Sequence, residues 1–276
     1  MQLSKKLLVE RFEFPVPGQP PTNPVYTLIQ SVTTSNYRGV IAESGWYRIR
    51  AAAIDGLVDP NGTTSGGTAG AIEHTCWLNR GTEYLMWGAS GQITYYPETS
   101  GNGGRDANGS AGVLGGGGGT GQGRSGAGGG GAAGNGGNPV YRGGAGGGGV
   151  GFLAGLNTYQ PSKTEEWSHA GFSVDTVECM VLCGGGGGGC GNEGYRSGGG
   201  GGGAWGNGGN GVAYAGGTGP GGSTFGVGAS TGQYGPGANG AWCIRDYTTN
   251  TFTSGTGAGT ANLTRGQVTI ERVTQG

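Results

Sequence analysis

The chain alternates apolar and polar residues in short runs, and turn-forming residues separate one run from the next. The run Gly45–Ile54 shows the pattern most clearly. Its apolar residues would lie on one face of a strand and its charged residues, Arg48 and Arg50, on the other, because successive side chains of a strand point to opposite faces. The apolar set is Tyr47, Ile49, Ala51 and Ala53.

Six further runs have strand-like patterns: Val25–Val32, Ala71–Leu78, Thr82–Ala89, Trp167–Cys183, Ala241–Tyr247 and Gly266–Val273. The short connection Asn79-Arg80-Gly81 predicts a β-hairpin between the second and third of them. From Val177 to Cys183 the chain is apolar on both faces apart from Glu178, which predicts a strand buried on two sides. No stretch combines helical periodicity with capping signals, so the chain is predicted to be all-β with almost no α-helix.

These patterns divide the chain into four segments. Residues 1–23 form an arm that ends in a proline cluster and is expected to be extended. Residues 24–100 carry strands, and residues 101–240 are glycine-rich with an interrupting strand segment at 165–183. Residues 241–276 carry the closing strands.

Glycine changes this picture, because it accounts for 74 of the 276 residues and most of it lies in 101–240. One interpretation is a flexible linker. The other is ordered polyglycine in the polyproline II conformation, whose N–H and C=O groups point sideways and can bond to neighbouring rods. Only glycine allows the backbones to approach closely enough for such bonds.

Order is favoured over a linker for three reasons. The glycine tracts contain almost no serine and little charge, and they leave directly from apolar strands, as at Cys183. The uninterrupted runs also have suitable lengths for single rods. These runs are Gly115–Gly119, Gly146–Gly149, Gly184–Gly189 and Gly198–Gly203.

The order of these features resembles known glycine-rich proteins. The sequence GWYRIRA from Gly45, the segment Gly67–Ala89, the strand and polyglycine of Phe172–Gly189 and the closing GQVTIE from Gly266 resemble the glycine-rich domains of phage tail proteins. They are also similar to glycine-rich modules attached to TNF-like sandwiches in animal receptors. The glycine tracts further resemble the polyglycine-helix distal adhesins of phage tail fibres. The resemblance covers residues 40–275 and implies a TNF-like or jelly-roll-like β-sandwich with packed polyglycine II helices inserted.

The resemblance also implies a function in host attachment. A protein of this family would be a virion component, the receptor-binding tip of a bacteriophage tail fibre. It would bind other tail or fibre proteins through its N-terminal arm and a host surface protein or polysaccharide through its tip, and it would allow a homotrimer. The main alternative is a purely structural virion part, such as a fibre joint, collar or capsid decoration. A second alternative is an ice-binding or secreted matrix protein.

Aromatic residues in the second glycine tract are the candidate receptor-binding groups, namely Tyr195, Trp205, Tyr214 and Tyr234. Tyrosine and tryptophan on a rigid frame lose little conformational entropy on binding, and each offers a large apolar contact with a polar group. The three tyrosines also have turn-like neighbours. The competing interpretation is that these rings wedge the glycine bundle onto the sheet.

Charge and hydropathy exclude several other classes. The net charge of −1 provides no basic field for nucleic acid. No apolar run approaches the ~20 residues needed to cross a bilayer, so membrane insertion is not expected. The apolar stretch near the N-terminus stops at Glu10 and is too short for a signal peptide.

Catalytic and metal-binding motifs are also lacking. His74 and His169 have no nucleophile motif beside them, and Gly-x-Gly-x-x-Gly matches are inevitable in polyglycine. The segment 55–62 faintly suggests a calcium loop, but it lacks the distal bidentate glutamate and is interpreted as a turn. We therefore expect no enzymatic activity, no cofactor and no metal site.

The cysteines are odd in number and do not imply a disulfide framework. They are Cys76, Cys179, Cys183, Cys190 and Cys243. Cys179, Cys183 and Cys190 lack the CxxC spacing of a zinc site. Most of the thiols are expected to be free, because three of them lie in apolar strands, where free cysteine packs as a small hydrophobe.

Ordered glycine rods predict slow amide hydrogen exchange across Gly184–Gly189 and Gly198–Gly203, because bonds between neighbouring rods would protect their N–H groups. Exchange measured by mass spectrometry on peptides covering both runs tests this. Exchange at random-coil rates across both runs would make them linkers.

Overall fold

The computed structural model of the chain describes residues 18–33, 36–56, 66–89, 148–155, 177–186, 239–246, 248–249 and 251–276. These ranges contain ten strands and no helix. The strands are β1 (Pro24–Val32), β2 (Asn36–Val40), β3 (Gly45–Ala52), β4 (Ala71–Leu78), β5 (Glu83–Trp87), β6 (Val150–Gly155), β7 (Val177–Cys183), β8 (Ala241–Asp246), β9 (Thr251–Thr256) and β10 (Gln267–Gln275). Nothing in the same ranges qualifies as a helix long and apolar enough to cross a membrane.

The strands form two antiparallel sheets that stack face to face. A four-stranded sheet has the order β1-β10-β3-β4, and a six-stranded sheet has the order β2-β5-β6-β7-β8-β9. Strand β4 lies over β7 and β8, and β10 lies over β6. The predicted all-β sandwich is therefore confirmed. The polyglycine helices of that prediction fall almost wholly outside the described residues.

Strand β3 has the two faces that its alternation predicts. Its inward side chains are buried, with Tyr47 only 4% exposed and Ile49 fully enclosed. Its two arginines lie on the outer face, where both contact Glu271 of β10. The Nε of Arg48 donates to Oε2 over 2.6 Å, and Nη2 of Arg50 donates to Oε1 over 2.5 Å.

Strand β7 is buried on both faces, as its composition predicts. Cys179 and Val181 belong to the core between the sheets. Met180 and Leu182 point to the opposite side of the sheet, since side chains alternate along a strand, and they are no more than 1% exposed. A central strand with two buried faces explains why no polar alternation occurs in its sequence.

The predicted hairpin between β4 and β5 is wrong. The two strands lie in different sheets, and the connection from Asn79 to Thr82 crosses from one sheet to the other. Gly81 has a φ of 86° in this turn, and the Thr82 hydroxyl donates to Glu178 Oε2 of β7 over 3.0 Å. Leu78 and Tyr84, on either side of the turn, are both buried in the same core. A short turn thus connects the layers because each strand buries its apolar face against the other sheet.

Four of the five thiols are free and buried, and they are Cys76, Cys179, Cys183 and Cys243. The expectation of mostly free thiols is confirmed for these four, and Cys190 lies outside the described residues. Burial raises the pKa of Cys183 and Cys243 well above the usual range of a thiol. The groups stay protonated at neutral pH and pack as small apolar side chains.

The two ends of the sandwich have different compositions. One end is here called the arm end. There β1 begins at Pro24, which pairs with Gln275, and residues 79–82 cross from one sheet to the other. At the other end, here called the glycine end, β3, β5 and β7 finish and β4, β6 and β8 begin. The insertions 57–65, 90–147 and 187–238 therefore connect strands at the glycine end, and residues 156–176 connect β6 to β7 at the arm end.

A buried contact between a histidine and a carboxylate links the two sheets. The Nε2 atom of His74 in β4 lies 2.9 Å from the Oδ2 atom of Asp246 in β8. Asp246 is fully buried. The backbone N–H groups of Thr248 and Thr249 donate to its other oxygen over 2.9 and 3.2 Å. Burial alone would raise the pKa of Asp246, but the hydrogen bonds from His74 and Thr249 outweigh it and hold the pKa below 3.8, its usual value. His74 is thus a packed histidine with a structural partner.

Asp246→Asn should lower the free energy of unfolding by about 1–3 kcal/mol at neutral pH, because buried donors lose a charged acceptor. The folded-state pKa is depressed, so the carboxylate's contribution is complete above pH 3.8 and is lost as the pH falls through the folded-state pKa. Urea unfolding of both proteins across this pH range measures the difference.

Glu43→Gln is the matched control, because Glu43 pairs with Arg272 but its side chain is 63% exposed. This control should cost less than about 1 kcal/mol. A wild-type advantage over Asp246→Asn that does not shrink below pH 3.8 would contradict the assignment.

Candidate functional site

Short backbone segments at the glycine end bond directly to one another. These segments flank the insertions 57–65, 90–147 and 187–238 and are 53–56, 66–70, 148–149, 184–186 and 239–240. We call them together the glycine junction. Each segment continues a strand of the sandwich, so the sheets determine where it starts.

Segment 66–70 bonds to three different neighbours. A strand inside a sheet bonds to only two, one on each side. The three bonds, each 2.9 Å from N to O, run from Ala53 to Gly70, from Gly70 to Gly184 and from Gly240 to Thr68. Segment 66–70 therefore contacts the continuations of β3, β7 and β8 through its backbone alone.

Ile54 extends this network to the remaining flank. Its N–H donates to Gly148 O and its carbonyl accepts from Gly186 N, both over 3.0 Å. In the same region, Gly184 N donates to Ala241 O over 2.7 Å. At least one described flank of each insertion is thus joined in one hydrogen-bonded network, which holds these flanks in a defined arrangement.

Close approach makes several of these glycines obligatory. A Cβ added to Gly186 would overlap the carbonyl oxygen of Gly67, and one added to Gly240 would overlap that of Gly184. At Gly70 it would lie 2.5 Å from the carbonyl oxygen of Ala241. The neighbours in each case are backbone atoms, which cannot move aside as a flexible side chain could. The junction requires glycine because its backbones are in contact.

Two polar side chains complete the junction. Asp55 accepts from Ala69 N over 2.7 Å and from Arg265 Nε over 3.0 Å, one bond to each oxygen. Asn239 Oδ1 accepts from Thr68 N over 2.9 Å. The Asp55 carboxylate therefore has a structural role, and the rest of the weak calcium-loop pattern lies outside the described residues. No group of three or more metal-ligating side chains occurs in the described ranges.

The junction has the sideways bonding that packed polyglycine rods would need. Gly184 and Gly186 begin one of the predicted runs, and both of their amides are bonded to other segments. The runs that begin at Gly115 and Gly198, and the first residues of the run from Gly146, lie outside the described residues. Their conformation stays a prediction.

The four candidate receptor-binding aromatics, Tyr195, Trp205, Tyr214 and Tyr234, also lie outside the described residues, as does His169. Trp242 is the first large aromatic after the tract and packs against the core from β8. A Cβ on Gly255 would come within 2.5 Å of its ring. This ring therefore belongs to the sandwich.

Sequence reasoning located the glycine runs but missed segment 66–70, which is the centre of the junction. The signal was weak, because the sequence GGTAG has no long run of glycine. Comparison with family models, curated proteins and solved structures finds no match to this chain.

Gly240→Ala should lower the free energy of unfolding by about 1–3 kcal/mol, as overpacking of a tight contact does. Gly45→Ala is the control, because an added Cβ there meets nothing within 4 Å, and it should leave stability unchanged or slightly raised. Urea unfolding measured by circular dichroism compares the two. Equal stability of both variants would show that the junction is looser than its hydrogen bonds indicate.

Proposed function

We propose that this protein is the receptor-binding tip or adhesin of a bacteriophage tail fibre. It acts as a virion component that recognises a host-cell surface protein or polysaccharide, without enzymatic activity and without a cofactor. Its N-terminal arm attaches it to other tail or fibre proteins. Loops and aromatic residues of the glycine-rich insertions make the contact with the host.

The separation of the two ends is the observation that carries this proposal. Residues 18–23 lead into β1 at the arm end and are largely exposed. The insertions 57–65, 90–147 and 187–238 leave from the opposite end, whereas residues 156–176 connect β6 to β7 at the arm end. A tip protein needs one end for attachment to the particle and another for presentation to the host, and the strand order supplies both.

The glycine junction supports the proposal in a second way. Binding loops act best when a rigid scaffold positions them. The insertions begin from backbone segments that bond to one another, as at Gly70 and Gly184, so their starting points are held together. Order at these points reduces the entropy that the insertions would lose on binding.

Within the insertions, Tyr195, Trp205, Tyr214 and Tyr234 are the proposed contact residues. Aromatic side chains in loops contribute much of the binding energy of recognition surfaces. Several copies of an adhesin on one phage particle can bind receptors at the same time. Modest affinity at each site is then sufficient, because multivalency raises the overall affinity.

Binding to cells tests the proposal. The purified full chain, labelled with a fluorescent dye at its N-terminus, should bind to bacteria that the phage infects. Flow cytometry measures the fluorescence of the cells. Tyr195→Ala combined with Tyr214→Ala and Tyr234→Ala should weaken labelling by about tenfold or more, since loss of a central aromatic contact costs over ~1 kcal/mol. Arg80→Ala is the control, because Arg80 is exposed at the arm end, and it should label as wild type does.

Two results would count against the proposal. Absence of labelling by the wild-type chain would favour a structural joint or collar. Wild-type labelling by the triple variant would keep the adhesin function but would move the contact away from these tyrosines.

A further inference from the structure

The core between the two sheets holds a pair of cysteine thiols that the proposed function does not use. Cys76 of β4 and Cys179 of β7 are both fully buried, and both belong to this core. Strand β4 is part of the four-stranded sheet, and β7 is part of the six-stranded sheet. The two side chains therefore enter the core from opposite layers.

Contacts on either side of the two cysteines align β4 with β7. His74 lies two residues before Cys76, on the same face of β4. It contacts Asp246 over 2.9 Å, and Asp246 is the direct partner of Cys179 in the ladder between β7 and β8. Beyond Cys76, a hydroxyl of the turn that follows β4 donates to Glu178 over 3.0 Å. Cys76 thus lies between two contacts that both end beside Cys179.

The two thiols are in contact with each other. Burial raises the pKa of the Cys179 thiol well above its usual range, and a hydrogen bond with the Cys76 thiol raises it further. Such a bond places the two sulfur atoms next to each other. A disulfide has its sulfurs about 2 Å apart, so it needs only a small further approach of the two side chains.

The other two buried thiols are not placed to bond to this pair. Cys183 donates to the carbonyl of Ala51 over 3.5 Å. Ala51 lies four residues along β3 from the partner of Cys76, which is a distance of ~13 Å in a strand. The same spacing separates Cys183 from the other cysteine of β7. Cys243 points to the outer side of its sheet, because side chains alternate and the neighbouring Ile244 belongs to the core.

We propose that Cys76 and Cys179 form a disulfide that joins the two sheets when the chain meets a low-molecular-weight disulfide such as oxidised glutathione. One cysteine loses its proton to solvent and attacks a sulfur of the small disulfide, which gives a mixed disulfide and releases one small thiol. The other cysteine then attacks the protein sulfur of the mixed disulfide and releases the second small thiol. The two cysteines lose two electrons and two protons, and the two released thiols carry them.

The position of the pair determines how the small disulfide reaches it. The thiolate is the reacting form, so buried cysteines react only when the core opens. Cys76 is two residues from the end of β4, and Cys179 is two residues from the start of β7. Both strand ends lie at the arm end, where residues 79–82 cross between the sheets. Opening at this crossing exposes the pair with the least disruption, and we expect oxidation to be slow.

The disulfide would stabilise the sandwich through the unfolded chain. It closes a loop that contains the whole insertion 90–147, and a crosslink that closes a long loop restricts the unfolded chain most. A reducing compartment would keep the two thiols free, and an oxidising one would allow the bond to persist. The inference is independent of host binding and stands whichever role the chain has.

Peptide mapping of the wild-type full chain tests the proposal. The folded protein is incubated with oxidised glutathione from room temperature to just below its Tm, the free thiols are alkylated in denaturant, and the chain is digested without reductant. A linked peptide should join Cys76 to Cys179, while Cys183 and Cys243 should be alkylated. The Tm of the oxidised protein should rise by roughly 5–15 °C, and dithiothreitol should reverse the rise.

Two variants separate this bond from other effects of oxidation. Cys76→Ala should abolish the rise in Tm, and Cys243→Ala is the matched control, because Cys243 is equally buried but lies outside the pair, so it should keep the rise. Each variant is compared with its own reduced form, so a lower starting stability does not change the readout. If Cys76→Ala does not fold, the wild-type map decides.

Three results would overturn the proposal. In the first, both cysteines of the pair are still alkylated after prolonged incubation just below the Tm. In the second, either of them is linked to a different cysteine or remains a glutathione adduct. In the third, Cys76→Ala keeps the full rise in Tm on oxidation.

Discussion

Direct contact between backbones is the constraint on which the glycine end depends. Where Gly186 passes Gly67, and where Gly240 passes Gly184, there is no space for even one side-chain carbon. Such contact lets peptide groups of the chain satisfy one another, but ordering glycine has the highest conformational entropy cost of any residue. The segments cannot supply that free energy alone, since most of their residues are glycine and have no side chain to bury. The sandwich supplies it, because each segment continues a strand that is already held in place.

The sandwich therefore has to be rigid across both layers, and polar ties between the sheets add to its apolar core. Asp246 reaches His74 from the opposite sheet, and Glu178 holds the crossing between β4 and β5 through Thr82. Each tie removes a buried polar group from an unsatisfied state, which would otherwise be costly. With the layers joined, the starting points of the insertions keep a constant arrangement.

The proposed roles are assigned to different regions of the sandwich. The arm end holds the start of β1, and the glycine end holds the insertions 57–65, 90–147 and 187–238. These two regions lie at opposite ends of the strands, so attachment and recognition could operate together on one chain. This division follows from the strand order, because it brings the start of β1 and these insertions to opposite ends of the sandwich.

Alternation in the sequence determined the strands that carry a clear apolar face, such as β3 with Tyr47 and Ile49, and the continuous apolar run of Val177–Cys183 determined a strand buried on both sides. It did not reveal β2, β6 or β9, because these strands are short, rich in glycine or largely polar. The sequence also indicated that backbones approach closely at the ends of the glycine tracts, since close approach is what requires glycine there. Tertiary structure decided which strands pair, that the turn at Gly81 joins two layers, and which glycines touch. Those outcomes depend on contacts between residues far apart in the chain, such as Gly70 with Gly184, and a local pattern carries no information about its distant partner.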